Sequence, residues 1–201
     1  MTEVNNFGYS LLPGGELVFR QLIDELRDRG PLSRASSDIG TLLGQNARQW
    51  PGRETLLSRP GDYTRTRVYR DANFELLLLN WSAGATSAIH DHGGQHCWML
   101  VLDGALVVDD YVRLDGGEVS GVAEVESRET RTLGPGAMDL RSGPFDLHRV
   151  GATPQSQAVS LHLYARPLQE FLVYDPPARR CDRAYSVYDA IVLDDRVVVR
   201  A

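Results

Sequence analysis

The sequence predicts a mainly β fold, a sandwich or barrel of short strands preceded by a small helical extension. From residue 63 onward, strand-length runs rich in apolar and β-branched residues alternate with Gly, Pro and Asp, and no βαβ alternation interrupts them. Before that point, two segments have the spacing of helices. With 201 residues, 42% of them hydrophobic, the chain can bury one sizeable core. We therefore expect a helical extension at 1–58 packed on a β-barrel at 59–201, forming one compact unit.

Two helices are expected in the N-terminal part. Residues 16–30 place their apolar side chains on one stripe at helical spacing, and Gly30 with Pro31 provides stop signals. Residues 39–50 follow three polar side chains that can cap a helix. The members of the stripe are Leu17, Val18, Leu22, Ile23 and Leu26, and the capping candidates are Ser36, Ser37 and Asp38.

The β region contains a series of short runs with strand character, separated by turn residues. They are TRTRVYR at 64–70, FELLLLNW at 74–81, CWMLVLDG at 97–104, ALVVDDYVRL at 105–114, TRTLGPG at 130–136, AVSLHLYA at 158–165 and AIVLDDRVVVR at 190–200. Many short strands at close intervals are typical of a closed or sandwiched sheet.

Composition argues against several classes of partner. The 21 basic residues, all arginine, are outnumbered by 27 acidic ones, and the formal charge of −6 opposes binding to nucleic acid and to anionic membranes. No apolar run approaches the roughly 20 residues that span a bilayer. Cys97 and Cys181 lie far apart, and the first ten residues lack the pattern of a secretory signal. We expect a soluble cytoplasmic protein, a monomer, in which Cys181 is an ordinary free thiol.

Three histidines form a candidate metal site. His90 and His92 are two residues apart, so in a strand both rings would leave the same face. His148 is distant in sequence but would lie on a neighbouring strand of a closed barrel. Three imidazoles form an uncharged donor set that suits iron, zinc, copper or nickel without choosing among them. The alternative is that the pair is an ordinary surface or core feature, because such pairs also occur by chance.

A second constellation is the strand SLHLY, in which polar and apolar residues alternate strictly. At period two, Ser160, His162 and Tyr164 share one face, while Leu161 and Leu163 share the other. The row of hydroxyl, imidazole and phenol resembles a hydrogen-bond relay. It is equally consistent with the outward polar face of a half-buried strand.

These motifs together resemble the cysteine dioxygenase family of the cupin superfamily. The spacing G-x5-H-x-H-x4-C-x6-G from Gly84 to Gly104 resembles the first cupin motif, with Cys97 in place of its usual Glu. The further matches are YTR at 63–65, IHDH at 89–92, HC at 96–97, LHRV at 147–150 and SLHLY at 160–164. The second cupin motif around His148 is poorly kept. The resemblance runs from about Tyr63 to Tyr164 and fades outside that range.

The resemblance implies a fold, a reaction and a metal. The fold would be the double-stranded β-helix, or jelly-roll barrel, of cupins, with the N-terminal helices as an addition. The reaction would convert L-cysteine and dioxygen to cysteine sulfinate, with a small thiol and dioxygen as the only partners. Fe(II) would be the cofactor, with His90, His92 and His148 as its ligands.

The resemblance also assigns roles to the remaining motif residues. Arg65 would hold the substrate carboxylate by charge-assisted hydrogen bonds. Tyr164 would present its hydroxyl to the bound sulfur and oxygen, oriented by a relay through Ser160 and His162. Tyr63 would line the pocket. Cys97 would be joined to Tyr164 by a thioether crosslink.

Several alternatives stay open from the sequence alone. Arg65 and Arg67 have the same strand parity, so the alternation does not separate them. Cys97 is also consistent with a small buried apolar residue. The activity could be directed at another small thiol such as 3-mercaptopropionate, although related enzymes for that substrate tend to have glutamine in place of the arginine. A non-oxygenase metal-binding cupin and a metal-free interaction domain are the remaining alternatives.

Overall fold

In a computed structural model, two facing β-sheets form the body of the protein and two short helices cover the outer side of one sheet. The structure describes residues 9–11, 19–32, 38–47, 58–115, 120–143, 146–193 and 196–200. The mainly β class with small N-terminal helices, predicted from the sequence, is confirmed.

The elements follow one another along the chain as two helices and fifteen strands within the described ranges. The helices are α1 (Arg20–Arg29) and α2 (Ile39–Asn46). The strands are β1 (Tyr9–Leu11), β2 (Tyr63–Arg70), β3 (Glu75–Trp81), β4 (Ile89–His90), β5 (Cys97–Asp103), β6 (Leu106–Arg113), β7 (Gly121–Val122), β8 (Val125–Leu133), β9 (Met138–Arg141), β10 (Asp146–Ala152), β11 (Ala158–Tyr164), β12 (Glu170–Asp175), β13 (Arg180–Tyr185), β14 (Ala190–Leu193) and β15 (Arg196–Arg200).

The strands form two sheets that we call the helix-covered sheet and the opposite sheet. The helix-covered sheet has the order β1-β15-β14-β2-β3-β11-β5-β9, and the opposite sheet has the order β7-β13-β12-β4-β10-β6-β8. Neighbouring strands are antiparallel except for the short parallel pairing of β14 with β2. Side chains from β3, β5 and β11 meet those from β6 and β10 in one apolar cluster, so the main core lies between the two sheets.

The central strands of the helix-covered sheet are buried on both faces. Every residue of β3 and β11 is buried. Leu161 and Leu163 pack in the same cluster as the buried residues of α1 and α2. The opposite parity of β11, which carries Ser160, His162 and Tyr164, therefore faces the space between the sheets. The outward polar face considered for this strand is wrong, because the helices already cover that side.

The helices agree with the predicted stripe but not with the predicted cap. Leu22, Ile23 and Leu26 of α1 are almost fully buried. Asp38 stands at the N-cap of α2 but makes no side-chain capping hydrogen bond, because its carboxylate pairs with the Arg29 guanidinium instead. Residues 12–18, 33–37 and 48–57 lie outside the described residues, and with them the other predicted helical and capping positions. Neither described helix has the length and apolarity needed to cross a membrane.

Three features of the sheets were not predicted from the sequence. The run at 190–200 is a hairpin of β14 and β15 rather than one strand. Residues 170–185 form the β12–β13 hairpin, although no motif marks them. Residues 9–11, within the expected helical extension, pair with β15. The division at residue 58 stays a prediction.

Gly104, in the turn from β5 to β6, offers a test of close backbone packing. It has φ +71°, and a Cβ there would lie 2.0 Å from the carbonyl oxygen of Gln157 and 2.8 Å from Cα of Ala158. Gly61 has a similar φ of +75° but open space around it. The left-handed conformation alone costs an alanine about 1–2 kcal/mol.

We expect Gly61→Ala to lower the free energy of unfolding by about 1–2 kcal/mol, and Gly104→Ala to lower it by roughly twice that or more, because β11 must move away. Urea unfolding of the two metal-free variants measures the difference. Equal losses would contradict the close approach of the turn to β11.

Candidate metal centre

Three histidine rings meet in the space between the sheets. His90 on β4 and His148 on β10 are direct partners across an antiparallel pair, and His92 follows β4 by two residues. Their ring centroids are 4.8–5.1 Å apart, and one nitrogen from each ring lies within 4.8 Å of the others. Residues more than fifty positions apart in the sequence thus converge on one point.

His92 reaches the cluster from a turn, whereas the sequence predicted that it shares a strand with His90. β4 ends at His90, so the two histidines do not share a regular strand. Gly93 and Gly94, both with positive φ, turn the chain immediately after His92. Asp91 anchors this turn, because its carboxylate accepts hydrogen bonds from the backbone N–H groups of Gly93 and Leu172. Asp91 is thereby directed to β12 and not to the histidines.

The outer nitrogens of the three rings have different surroundings. Nδ1 of His90 lies 2.9 Å from the carbonyl oxygen of Ala88, and Nδ1 of His148 lies 3.3 Å from Oδ2 of Asp139. The Ala88 carbonyl accepts the Nδ1–H of His90 and leaves its Nε2 lone pair free, whereas Nδ1 of His148 is close to the Asp139 carboxylate but is not aligned for a hydrogen bond. Nδ1 of His92 is buried and has no hydrogen-bond partner among the described residues.

The cluster is uncharged at neutral pH. Burial, followed by repulsion from His148, lowers the pKa of His90 to about 3. Burial also lowers the pKa of His92 well below its usual range, and it lowers that of His148. Neutral imidazoles with free lone pairs are the protonation state that metal binding requires.

The donor set fits a transition-metal ion. Imidazole binds zinc at about 2.0–2.1 Å, so donors around such an ion lie no more than about 4.2 Å apart. The candidate ligand nitrogens lie within 4.8 Å of one another, so a small inward movement of the rings would bring them to this spacing. Three protein ligands on one side of an ion leave positions open for substrate, as in catalytic rather than structural metal sites.

A cavity of about 120 Å³ adjoins the cluster. His90 and His148 form part of its wall, and Arg65 and Tyr164 line it as well. Its described lining includes no Asp or Glu, so Arg65 gives the cavity a positive charge. A site of this size, well below the roughly 300–1,000 Å³ of pockets for drug-sized ligands, suits a small anion.

The structure separates Arg65 from Arg67. Arg65 lines the cavity, whereas the Arg67 guanidinium lies 4.9 Å from the ring centroid of Tyr188 and is not part of the lining. Nη2 of Arg65 donates to Oγ of Ser186 at 2.9 Å. Its Nε is buried and has no partner among the described residues. Ser186 therefore holds one nitrogen of the Arg65 guanidinium, and the Nε–H group is left to bind a ligand.

The polar row of β11 forms a hydrogen-bond chain that begins at Trp81. The indole N–H of Trp81 donates to Oγ of Ser160 at 2.9 Å, and Oγ lies 2.8 Å from Nε2 of His162. The serine oxygen has one hydrogen and two lone pairs, so the direction of the bond to Nε2 follows the tautomer of His162. The nearly parallel ring of Tyr164 lies 6.3 Å from that of His162.

Tyr164 also contacts Cys97 on the neighbouring strand. The two residues are direct partners in the β11–β5 register, and both side chains are buried in the same apolar cluster. Burial raises the pKa of both groups, that of Tyr164 well above its usual range. Cys97 is therefore a neutral thiol and Tyr164 a neutral phenol that can donate a proton.

Tyr63, the last predicted site residue, lines the cavity and stacks on Trp81 with ring centroids 4.5 Å apart. Three residues at the site were missed by sequence reasoning, namely Trp81, Asp139 and Ser186. Trp81 lies in a uniformly buried strand, where alternation carries no signal. Asp139 and Ser186 act through partners distant in the sequence, which no local pattern reveals.

Comparisons with known proteins point to one protein family. A family model described as "Cysteine dioxygenase type I" matches residues 44–177. Relatives named cysteine dioxygenase type 1 from Danio rerio, Rattus norvegicus and Homo sapiens are 33%, 32% and 31% identical over 115, 117 and 115 residues. Each alignment covers 56% of this chain and 56% of the relative, so the match spans little more than half the length of these relatives.

Solved structures that resemble the chain have low sequence identity to it, as two examples show. A cupin superfamily protein of Desulfitobacterium hafniense is 12% identical, with a TM-score of 0.44 over 60% of this chain and 92% of that chain. A protein with a double-stranded β-helix domain from Klebsiella pneumoniae is 13% identical, with a TM-score of 0.45 over 60% of this chain and 90% of that chain.

The neutral histidine cluster predicts a pH dependence of stability in the metal-free protein. An unfolded histidine has a pKa of about 6.5. Because the folded pKa of His90 is depressed to about 3, the unfolded chain takes up a proton below pH 6.5 that the folded chain excludes. The free energy of unfolding should therefore fall as the pH drops from about 6.5 towards 3.

We expect each such histidine to contribute a slope of about 1.4 kcal/mol per pH unit near pH 5. Urea unfolding of metal-free protein between about pH 4.5 and 6.5, where carboxylates are mostly ionised, measures the slope. His90→Asn should be less steep by about this amount. Identical slopes would show that His90 is not held neutral by burial.

Proposed function

The chain belongs to the cysteine dioxygenase type I family, and from that premise we propose that it oxidises the sulfur of free L-cysteine. In this reaction both atoms of dioxygen are added to the thiol, giving cysteine sulfinate. The single observation that carries the proposal is one small cavity bordered by the histidine cluster, Arg65 and Tyr164.

Arg65 would bind the carboxylate of the substrate. Its buried Nε and its planar guanidinium can donate parallel hydrogen bonds to a carboxylate. The contact with Ser186 fixes the guanidinium before the substrate arrives, which reduces the entropy lost on binding. With one end of the substrate held, the thiol would be directed towards the histidines.

The histidine cluster would hold Fe(II) through His90, His92 and His148. A bound ferrous ion supplies the redox chemistry through which dioxygen reacts with a thiolate. Because the three imidazoles are uncharged, they leave the full charge of a divalent ion to attract an anionic sulfur. The protein therefore favours the thiolate over the thiol at this end of the cavity.

Tyr164 would donate a hydrogen bond from its hydroxyl to the substrate. Its raised pKa keeps the proton on the oxygen, and the Trp81–Ser160–His162 chain fixes the strand that carries it. Apolar walls at Leu168 and Phe171 exclude water and strengthen these interactions. The ring of Phe171, whose centroid lies 5.9 Å from that of His90, limits the size of the substrate on that side.

Anaerobic loading of the metal-free protein with Fe(II), followed by admission of dioxygen with cysteine, tests the activity. We expect oxygen consumption and one sulfinate product per dioxygen consumed. We expect 3-mercaptopropionate to be turned over less efficiently, because it lacks the amine that cysteine would offer to the metal as a donor beside its thiolate. Oxygen uptake without sulfinate would contradict the proposed reaction. A preference for 3-mercaptopropionate would contradict the proposed substrate.

Arg65→Ala should raise KM for cysteine and also lower kcat, because a misplaced thiolate reacts poorly. The loss of about 1.5–3 kcal/mol corresponds to roughly 10- to 150-fold in kcat/KM. Arg67→Ala is the matched control, since Arg67 packs on Tyr188 outside the cavity lining. Steady-state kinetics that are unchanged in Arg65→Ala, or equally impaired in both variants, would overturn the role of Arg65.

A thioether between Cys97 and Tyr164 is also proposed. Its formation joins Sγ to the phenol ring and releases two hydrogen atoms, with dioxygen as the oxidant. After turnover, we expect a fraction of the intact protein to be lighter by two hydrogen atoms. That fraction, once denatured, should be alkylated only at Cys181, whereas protein never exposed to Fe(II) and dioxygen should be alkylated at both cysteines. Full alkylation after turnover would contradict the crosslink.

The cytoplasmic location and the monomeric state stay predictions from the sequence.

A further inference from the structure

A group of ion pairs lies behind His148, on the side of the ring away from the cavity. We call it the Asp139 cluster. It joins β6, β8, β9 and β10 through two arginines and three aspartates. Its members are Asp110, Arg131, Asp139, Arg141 and Asp146.

Asp139 is the member that touches the histidine. Its Oδ2 lies 3.3 Å from Nδ1 of His148 and accepts a hydrogen bond of 2.6 Å from Nε of Arg141. Its Oδ1 accepts bonds from Nη2 of Arg141 at 2.9 Å and Nη2 of Arg131 at 2.8 Å. Three N–H donors from the two arginines thus fix the carboxylate. The fixed carboxylate can in turn orient the Nδ1–H group of His148.

Burial makes this arrangement costly to disturb. The side chains of Asp139 and Arg141 are 3% and 6% exposed, so neither ion is solvated by bulk water. Removing one partner of such a pair leaves the other charge buried without compensation. Arg141 is in turn held by Asp146 at 2.9 Å and by Asp110. The position of Asp139 is therefore set by a network and not by a single contact.

The three candidate ligands differ in the group behind them. His90 donates to a neutral backbone carbonyl, whereas Nδ1 of His92 and Nδ1 of His148 both lack an aligned hydrogen-bond partner among the described residues. Within the cluster of three, His148 is the ring backed by a carboxylate. An anion at this position fixes the tautomer and raises the basicity of the opposite nitrogen.

We propose that Asp139 is a positioning residue for His148, which holds the ring proton on Nδ1 and directs the Nε2 lone pair to the candidate metal centre. The inference rests on the proposed metal site. Because the observed nitrogens are as much as 4.8 Å apart, the rings must move inward to grip an ion, and a fixed partner for Nδ1 limits the directions in which His148 can move.

The test measures metal binding rather than turnover. Metal-free protein is titrated anaerobically with Fe(II), and separately with Co(II), whose visible absorption reports the ligands around the ion. Asp139→Asn keeps the shape and an acceptor oxygen but removes the charge, and Asp139→Ala removes both. Asp109→Asn is the control, because Asp109 is a carboxylate on β6 that is 14% exposed and pairs with Arg149 and Thr130, outside the Asp139 cluster.

We expect Asp139→Ala to weaken metal affinity about 10- to 100-fold, Asp139→Asn to fall between it and the wild type, and Asp109→Asn to match the wild type. The Co(II) absorption bands should shift in both Asp139 variants and not in the control. Circular dichroism of the metal-free proteins checks folding, and Asp139→Asn keeps the test decisive if Asp139→Ala does not fold.

Two results would overturn the inference, and they differ from failure of the proposed function. If wild type binds metal and the Asp139 variants bind it with unchanged affinity and spectrum, Asp139 does not position His148. If Asp109→Asn weakens binding equally, the effect comes from general loss of negative charge. If the wild type itself binds neither ion, the proposed metal site is wrong and this inference falls with it.

Discussion

The site depends on the pairing of β10 with a strand of only two residues. His148 and His90 are direct partners, and β4 lies between β10 and β12. Because strand side chains alternate, a slip by one residue would turn His148 away and bring Leu147 or Arg149 into its place. The register is held by burial on both sides of β10, since Leu147 packs in an outer apolar cluster and Val150 in the core between the sheets. A strand of two residues is sufficient to place His90 because its neighbours, β10 and β12, are themselves fixed.

Alternation in the sequence assigned residues to faces but did not decide which face was inside. The strand SLHLY was consistent with an outward or an inward polar row, because the pattern is the same in both cases. The helices decide it. Since α1 and α2 cover Leu161 and Leu163, the polar row is directed into the space between the sheets. The central strands and the two helices were thus predictable from local spacing, whereas the side of the barrel each face occupies depends on distant packing.

The unpredicted parts of the site are contacts between residues that are distant in sequence or lack a local signal. Arg65 and Arg67 share a parity, and the cavity alone separates them. Ser160 receives its hydrogen bond from Trp81, 79 positions away, and Arg65 donates to Ser186 at a separation of 121. Neither pair could be found by periodicity, which describes one element at a time. The location of His92 in a turn also escaped prediction, because the glycine pair after it ends β4 earlier than alternation suggested.

Burial makes the site selective first for a cation and then for an anionic ligand. Removing the imidazoles from water keeps them neutral, and neutral nitrogens accept a cation that protonated rings would repel. Under the proposed function, the cavity then has a metal ion at one end and Arg65 at the other, between apolar walls that weaken screening. A ligand matched to it carries an anionic group at each end, as a thiolate with a carboxylate does. A thiol without the carboxylate forgoes the contact with Arg65, and a much larger thiol exceeds about 120 Å³. The same desolvation that creates a neutral metal site therefore also restricts its substrates.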